Sequence, residues 1–198
     1  MSEFSRRDFL KISTTLGAGF LLGACSGCSR YAIFAPGEGL GKAPGDAEAR
    51  MLGWLAIQSD GTIRVAVSSS EMGQGVYTNL ALIVAEELDA DFSKVRAEPA
   101  PVNKMFNNPK MFSGQVTGGS TSTPGYWTPM REVGATARLM LLQAAAKRWN
   151  VEVAKLKTKP HHVVHPDGRT LGFGELAAEA SKLEVPSTPK LKSRSQFR

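Results

Sequence analysis

Residues 68–75 read SSSEMGQG, and this stretch joins two segments whose residue patterns differ. Residues 62–69 alternate in the manner of a β-strand, whereas residues 76–90 follow the period of an amphipathic helix. Gly73 and Gly75 allow the backbone to turn between the two. Because a strand, a glycine turn and a helix N-terminus together can bind an anion, residues 68–75 are either a plain turn or part of a ligand site.

Short strands are predicted on both sides of this turn. Residues 52–58 and 62–67 are apolar-alternating runs on either side of an Asp-Gly pair, which is a strong signal for a β-hairpin. Further strands are predicted at residues 94–100 and 161–165. All three histidines lie in the last of these, and we expect them in an exposed hairpin rather than a metal site.

Two main helices are predicted, at residues 76–90 and 131–149, with a short final helix at 174–182. The first helix places Leu80 and Val84 on one apolar face, and we expect its acidic end, residues 86–89, to form a solvated face without a catalytic role. The fold class is therefore α+β, a small mixed sheet with the two main helices packed on it. The order of the strands stays open.

A long stretch without a clear period, residues 102–130, separates the predicted third strand from the second helix. Its middle, residues 118–123, reads GGSTST and is rich in backbone N–H groups and hydroxyls. Loops of this length inside a compact domain are usually functional or disordered, and the aromatic side chains here argue against disorder. The segment is either a turn of small residues or a site for phosphate or another polar acceptor.

The N-terminus has the pattern of an export signal. Residues 5–11 read SRRDFLK, a twin-arginine motif, and a short glycine-containing apolar run follows at residues 12–24. The run ends LLGAC, so the chain is either cut and lipidated at Cys25 or cut elsewhere among residues 23–27. We therefore expect residues 1–28 to be a signal segment, and the mature chain to be periplasmic, with a membrane anchor if Cys25 is lipidated.

Composition argues against two further functions, an iron–sulfur site and nucleic-acid binding, and indicates a linker. Cys25 and Cys28 are the only cysteines, and an iron–sulfur cluster of the usual kind needs four thiolates. Residues 29–50 are rich in proline and glycine and predict a linker. The basic, proline-containing tail is assigned to residues 183–198. From Lys182 onward the chain carries five Lys/Arg against one Glu and so supplies most of the net charge of +6, which therefore does not mark a nucleic-acid-binding face.

Five segments together carry a resemblance: the twin-arginine start, residues 68–101, and the strings TGGSTST, AAAKRW and LGFGELA. They resemble the N-terminal part of the molybdopterin-binding large (beta) subunit of isoquinoline 1-oxidoreductase-like enzymes. These enzymes are exported members of the xanthine dehydrogenase and aldehyde oxidase family. The resemblance runs from about residue 5 to the C-terminus and is specific in its combination of motifs.

The resemblance implies a cofactor, partners and site residues. The cofactor is molybdopterin, in bacteria usually as the cytosine dinucleotide, and electrons pass to a small subunit with [2Fe-2S] clusters. Water supplies the oxygen that hydroxylates an N-heterocycle or an aldehyde. By matching position, two groups of residues would contact the cofactor: Met72, Gly73, Gln74 and Gly75 along the pterin, with Gln74 near the molybdenum end, and Gly119, Ser120, Thr121 and Ser122 on the phosphate side.

Members of this family are several times longer, and their glutamate general base lies in a region that this sequence does not contain. Residues 51–182 are therefore expected to be a partial molybdopterin-binding domain, and the tail at 183–198 to lead toward a missing domain. We expect the chain alone to hold the cofactor weakly and to be inactive, and we assign it no catalytic and no metal-binding residue. The alternative is a small exported accessory or binding module that reuses the fold without catalysis.

Overall fold

The structure, a computed structural model of the chain, describes residues 53–111 and 114–198. The signal segment and the linker predicted from the sequence lie outside these residues. Within these described ranges there are three α-helices and two three-stranded sheets. In chain order the elements are β1 (Leu55–Ile57), β2 (Ile63–Val67), α1 (Val76–Leu88), β3 (Val95–Pro99), α2 (Ser122–Trp149), β4 (Lys157–Lys159), β5 (His162–Val164), β6 (Thr170–Gly172) and α3 (Phe173–Ala180).

The first sheet has the order β1-β2-β3 and is mixed. β1 and β2 are antiparallel around the predicted Asp-Gly turn, in which Gly61 has a φ of 89° and the Asp60 carboxylate accepts the Thr62 N–H at 2.8 Å. β3 runs parallel to β2, and α1 makes the crossover between them. The predicted hairpin, first helix and third strand are thus confirmed, and the turn at 68–75 follows the central strand.

The second sheet has the order β4-β5-β6 and is antiparallel throughout. The sequence analysis placed the strand near residue 160 in the same sheet as residues 51–100. The structure shows instead that this strand belongs to a separate sheet. The expected exposed hairpin is also wrong for His161, which is buried, has a φ of 68° and precedes the strand. Its Nε2 lies 2.7 Å from the Gly61 carbonyl oxygen, so this ring links the second sheet to the β1–β2 turn.

The two main helices pack closely, and α2 is longer than predicted. It begins at Ser122 rather than at 131 because Pro124 lies in the first turn, where its missing N–H costs no hydrogen bond. Pro129 lies in the helix interior, within the stretch 102–130 that was predicted to be irregular. The helices are in close contact at Gly134, where an added Cβ would lie 2.5 Å from the Val84 carbonyl oxygen.

The acidic end of α1 is not the solvated face that the sequence predicted. Glu87 is 1% exposed and Asp89 is 8% exposed. Arg131 of α2 pairs with Glu87, and Lys192 of the C-terminal segment donates to Asp89 Oδ1 at 2.7 Å. These cations lie far away in the sequence, which explains why helical periodicity did not reveal the burial. Among the described residues, none of the helices has the length and apolar character needed to cross a membrane.

Candidate functional site

The glycine turn is an exposed loop between β2 and α1. Residues 70–75 are all exposed, and Met72 is 72% exposed. Gly73 and Gly75 have φ values of 91° and 78°, a backbone conformation that favours glycine, and an added Cβ at either would meet no atom within 4 Å. The glycines therefore serve the backbone of the turn and leave open space on its outer side.

The N–H groups at the start of α1 are already occupied by a carboxylate of the chain itself. Glu71 Oε1 accepts the N–H groups of Gly73 at 2.8 Å and Gly75 at 3.0 Å, and its Oε2 accepts that of Tyr77 at 3.1 Å. These hydrogen bonds, first those from Gly75 and Tyr77, lower the pKa of Glu71 below its usual value. An anion at this turn is thus supplied internally, by the Glu71 carboxylate.

Gln74 also bonds within the turn. Its Oε1 accepts the Met72 N–H at 2.6 Å, and its Nε2 donates to the Ser70 carbonyl oxygen at 2.8 Å. The Gln74 amide keeps one Nε2 hydrogen for a further acceptor. The turn is consequently held in shape by two of its own side chains, Glu71 and Gln74.

The second predicted segment lies at the start of α2. Gly119 and Ser120 have φ values of 57° and 55°, Thr121 is the N-cap residue and Ser122 is the first residue of the helix. The Thr121 hydroxyl donates to the Gly118 carbonyl oxygen at 2.8 Å. The N–H groups of the first turn of a helix have no partner inside the helix, so the start of α2 suits an anion.

Asn108 holds this second segment in place, a role that no periodic pattern in the sequence indicates. The side chain is 1% exposed, and its Nδ2 donates to Thr121 Oγ1 at 2.9 Å and to the Val116 carbonyl oxygen at 3.2 Å. Its Oδ1 accepts the Lys110 N–H at 3.0 Å. A buried amide with this many partners fixes the loop before α2. Helix α2 can approach Asn108 closely because residue 125 is a glycine, where an added Cβ would clash with Asn108 Oδ1.

The structure brings the two predicted segments together. The Ser70 N–H donates to Thr117 Oγ1 at 2.7 Å, which joins the glycine turn to the loop before α2. One turn into α1, Asn79 Nδ2 donates to Thr123 Oγ1 at 2.7 Å. Neither Asn79 nor Thr117 was singled out by the sequence, although Thr117 belongs to the quoted TGGSTST string. Both hydrogen bonds span more than forty residues of sequence, and together they define a single surface.

Comparison with known families assigns the chain to a class of domain. Residues 24–198 match the family model of the molybdopterin cofactor-binding domain. The chain therefore belongs to the molybdopterin cofactor-binding domain family, as the motifs indicated.

Two similar relatives are several times longer than this chain. The isoquinoline 1-oxidoreductase subunit beta of Brevundimonas diminuta is 34% identical over 188 residues, which cover 94% of this chain and 23% of the relative. The membrane-bound aldehyde dehydrogenase (pyrroloquinoline-quinone) of Gluconacetobacter polyoxogenes is 35% identical over 178 residues, covering 90% and 22%. The chain thus spans less than a quarter of the length of these relatives.

Among solved structures, a reconstituted CO dehydrogenase from Oligotropha carboxidovorans is similar, with 23% identity and a TM-score of 0.49. The match covers 69% of this chain and 17% of that one.

The residues of the surface suit a phosphate-bearing cofactor on the α2 side. Within the described residues, the hydroxyls of Ser120 and Ser122 make no hydrogen bond, and α2 has no acidic residue in its first turn. Ser69, directly before the glycine turn, is 2% exposed and its hydroxyl finds no partner in the same part of the chain. A buried hydroxyl without a partner is uncommon, but this one is closed to a ligand. The unused hydroxyls of Ser120 and Ser122 are accessible and fit molybdopterin better than the Glu71-filled turn does. The part of the chain that the structure describes contains no group of three His, Cys, Asp or Glu residues placed to hold a metal ion.

Proposed function

We propose that this chain is the N-terminal part of the large subunit of an exported molybdenum hydroxylase, and that the glycine turn and the residues before α2 form one wall of its molybdopterin site. The observation that carries the proposal is the hydrogen bond from the Ser70 N–H to Thr117 Oγ1. It joins two segments that the family resemblance assigns independently to one cofactor. Membership of the molybdopterin cofactor-binding domain family supports the same ligand.

The two segments have different roles in this proposal. Glu71 already neutralises the N–H groups of the turn, so the turn contacts the uncharged pterin through Met72, Gln74 and the glycine backbone. The phosphate lies on the other segment, against Gly119, Ser120, Thr121 and Ser122, near the N-terminus of the longest helix. Molybdopterin, when bound, supplies the molybdenum at which the substrate is oxidised with water as the oxygen source. We propose its cytosine dinucleotide form for this chain.

The remainder of the enzyme is also part of the proposal. Because the chain spans 23% of the Brevundimonas relative, the other large-subunit domains, the catalytic base and the substrate pocket would come from further polypeptide. A small subunit with [2Fe-2S] clusters would take the electrons, and the substrate would be an N-heterocycle or an aldehyde. The chain alone is then inactive and holds the cofactor weakly.

An exposed apolar groove favours this fragment over a self-sufficient accessory module. Leu82 is 48% exposed, Trp127 is 43% exposed and Phe197 is 37% exposed, and all three line one cavity of about 270 Å³ between α1 and α2. An independent module would be expected to cover such residues, because adjacent exposed apolar side chains usually mark a contact surface. Further domains of the same subunit would cover them.

The first experiment measures molybdenum per chain and pterin content in the protein purified from its native exported fraction, with the intact mass of the same sample. We expect molybdenum only in samples that also contain the remaining large-subunit polypeptide. Ser120→Ala/Ser122→Ala should lower the pterin content of that complex, whereas Ser187→Ala, on an exposed segment elsewhere, should not. Near-stoichiometric molybdenum on the isolated chain would contradict the predicted inactivity, and cofactor content unaffected by the double variant would contradict the phosphate assignment.

Export is tested separately by cell fractionation. Arg6→Lys/Arg7→Lys should keep the chain in the cytoplasm, because the twin-arginine pair is the signal, whereas Lys11→Arg should leave its location unchanged. The intact mass of the exported chain distinguishes lipidation at Cys25 from an ordinary cut. An exported double variant would contradict the twin-arginine route.

A further inference from the structure

A second charged region lies at the opposite end of α1 from the glycine turn. The helix has 13 residues, so its C-terminal end is about 20 Å from the turn. Three carboxylates and six cationic side chains meet there: Glu86, Glu87 and Asp89 with Arg131, Arg138, Lys157, Lys190, Lys192 and Arg198. The excess of positive charge at this corner is not explained by the proposed cofactor site.

Each carboxylate of this corner already has a hydrogen-bond or ion-pair partner within the chain. Asp89 Oδ1 accepts from Lys192 Nζ at 2.7 Å, and Asp89 Oδ2 accepts from the Thr158 hydroxyl. Glu87 pairs with Arg131 and accepts the Lys192 N–H at 3.0 Å, and Glu86 Oε1 accepts from Lys192 Nζ at 2.9 Å. Since Lys192 is 8% exposed, this network is a fixed, buried floor rather than a set of mobile surface charges.

Several donors above this floor remain unused. Lys157 and Lys190 are exposed, and neither ammonium has a carboxylate or hydrogen-bond partner among the described residues. Arg138 donates to the Lys190 carbonyl oxygen at 3.0 Å and lies 3.8 Å from Glu87, which leaves most of its five N–H groups free. These groups and Arg198 line one cavity of about 470 Å³, which we call the basic pocket.

We propose that the basic pocket binds a small phosphorylated anion. Five of the charged residues that line the pocket are cationic, and the sixth is Asp89, whose buried carboxylate is paired with Lys192. A concave site with such an excess of positive charge concentrates anions. A guanidinium presents a planar pair of donors that matches phosphate oxygens, and each lysine adds a point charge. The volume exceeds that of one phosphate group, so the pocket suits an anion with two.

Titration calorimetry on the full chain at low ionic strength, with pyrophosphate as the probe, tests this proposal. We expect saturable binding of one pyrophosphate per chain, and weaker binding of inorganic phosphate. Lys157→Ala/Lys190→Ala should weaken pyrophosphate binding about tenfold or more, because charge-assisted hydrogen bonds are lost. Both lysines are exposed, so the variant should fold, which circular dichroism verifies.

The matched control is Lys155→Ala/Lys182→Ala, which removes the same charge from exposed positions that do not line the basic pocket. An equal loss of affinity in the control would overturn the proposal, because it would show a general charge effect. Citrate binding as tightly as pyrophosphate would overturn the preference for phosphate. An absence of pyrophosphate binding would overturn the site itself. None of these outcomes depends on molybdopterin, so they do not bear on the proposed function.

Discussion

Lys192 Nζ lies 2.7 Å from Asp89 Oδ1, and the side chains of these residues are 5% and 6% exposed. The C-terminal segment therefore closes on the end of α1 through a buried ion pair. Arg131 adds to this contact by donating to the Lys192 carbonyl oxygen at 2.6 Å. A segment that the sequence presents as a polar tail is thus bound to the two main helices.

Replacing Lys192 by methionine tests how much this contact contributes to stability. The substitution leaves buried Asp89 without its main cation, and removing one partner of a buried pair usually costs about 3–5 kcal/mol. We expect urea unfolding to show a loss in that range. Lys190→Met, at an exposed position two residues earlier, should change stability by less than about 0.5 kcal/mol. Equal effects of the two variants would contradict a buried role for Lys192.

A second prediction concerns Gly134, where the two main helices cross. A Cβ there would lie 2.5 Å from the Val84 carbonyl oxygen and 2.8 Å from Glu87 Cβ. Alanine has a better helix propensity by about 1 kcal/mol, but overpacking against a backbone that cannot move away costs about 1–3 kcal/mol or more. We therefore expect Gly134→Ala to be destabilising in thermal unfolding.

Gly118→Ala is the control for this variant, since an added Cβ at Gly118 meets nothing within 4 Å. It should leave the midpoint of thermal unfolding nearly unchanged. A Gly134→Ala variant more stable than the parent would mean that helix propensity outweighs the contact.

The β1–β2 hairpin and α1 could be predicted because their signals are local. An Asp-Gly pair at 60–61 specifies a hairpin within a few residues, and the spacing of Leu80, Val84 and Leu88 specifies one face of a helix. The glycine turn and the GGST string could be singled out as candidate site segments because their composition is also a local feature. Their joint surface follows from the hydrogen bond between Ser70 and Thr117, which no short pattern contains.

The errors arose where a distant residue decides the outcome. Glu87 was expected in solvent because its partner Arg131 lies 44 residues away and the Lys192 N–H lies 105 residues away. The internal anion at the glycine turn was missed for a different reason. Glu71 is close in sequence, but its carboxylate reaches Gly75 and Tyr77 only in one specific turn geometry, which composition does not determine.

The role of Glu71 leads to a third prediction. Glu71→Ala removes the acceptor for the N–H groups of Gly73, Gly75 and Tyr77. Hydrogen exchange at these three amides should become faster, because amides that lose their hydrogen bonds open to solvent. Glu132→Ala, on α2, should leave those rates unchanged. Unchanged exchange in Glu71→Ala would mean that the glycines hold the turn without the carboxylate.

The last prediction is a pH dependence of stability that comes from His161. Burial, as the main cause, lowers the pKa of His161 below its ordinary value of 6.5, and the nearby Lys94 and His162 act in the same direction, whereas Asp91 and the hydrogen bond to Gly61 oppose it. Nδ1 accepts the Asp91 N–H at 3.4 Å while Nε2 lies on the Gly61 carbonyl oxygen, so the neutral ring satisfies both contacts.

The unfolded chain therefore binds the proton more readily than the folded chain. Stability is complete above about pH 6.5 and declines as the pH falls below that value. The acids with lowered pKa values, Asp60, Glu71, Asp91 and Asp167, titrate at more acidic pH and leave this window to His161.

Urea unfolding between pH 7.5 and 5 measures this effect. His161→Asn should flatten the pH dependence, since asparagine tolerates the left-handed backbone at φ 68° and does not titrate. His162→Asn, at the neighbouring exposed position, should retain the decline. If both variants lost stability with falling pH as the parent does, another residue would be the titrating group. Protonation of the buried His161 would then not be the cause of the pH dependence.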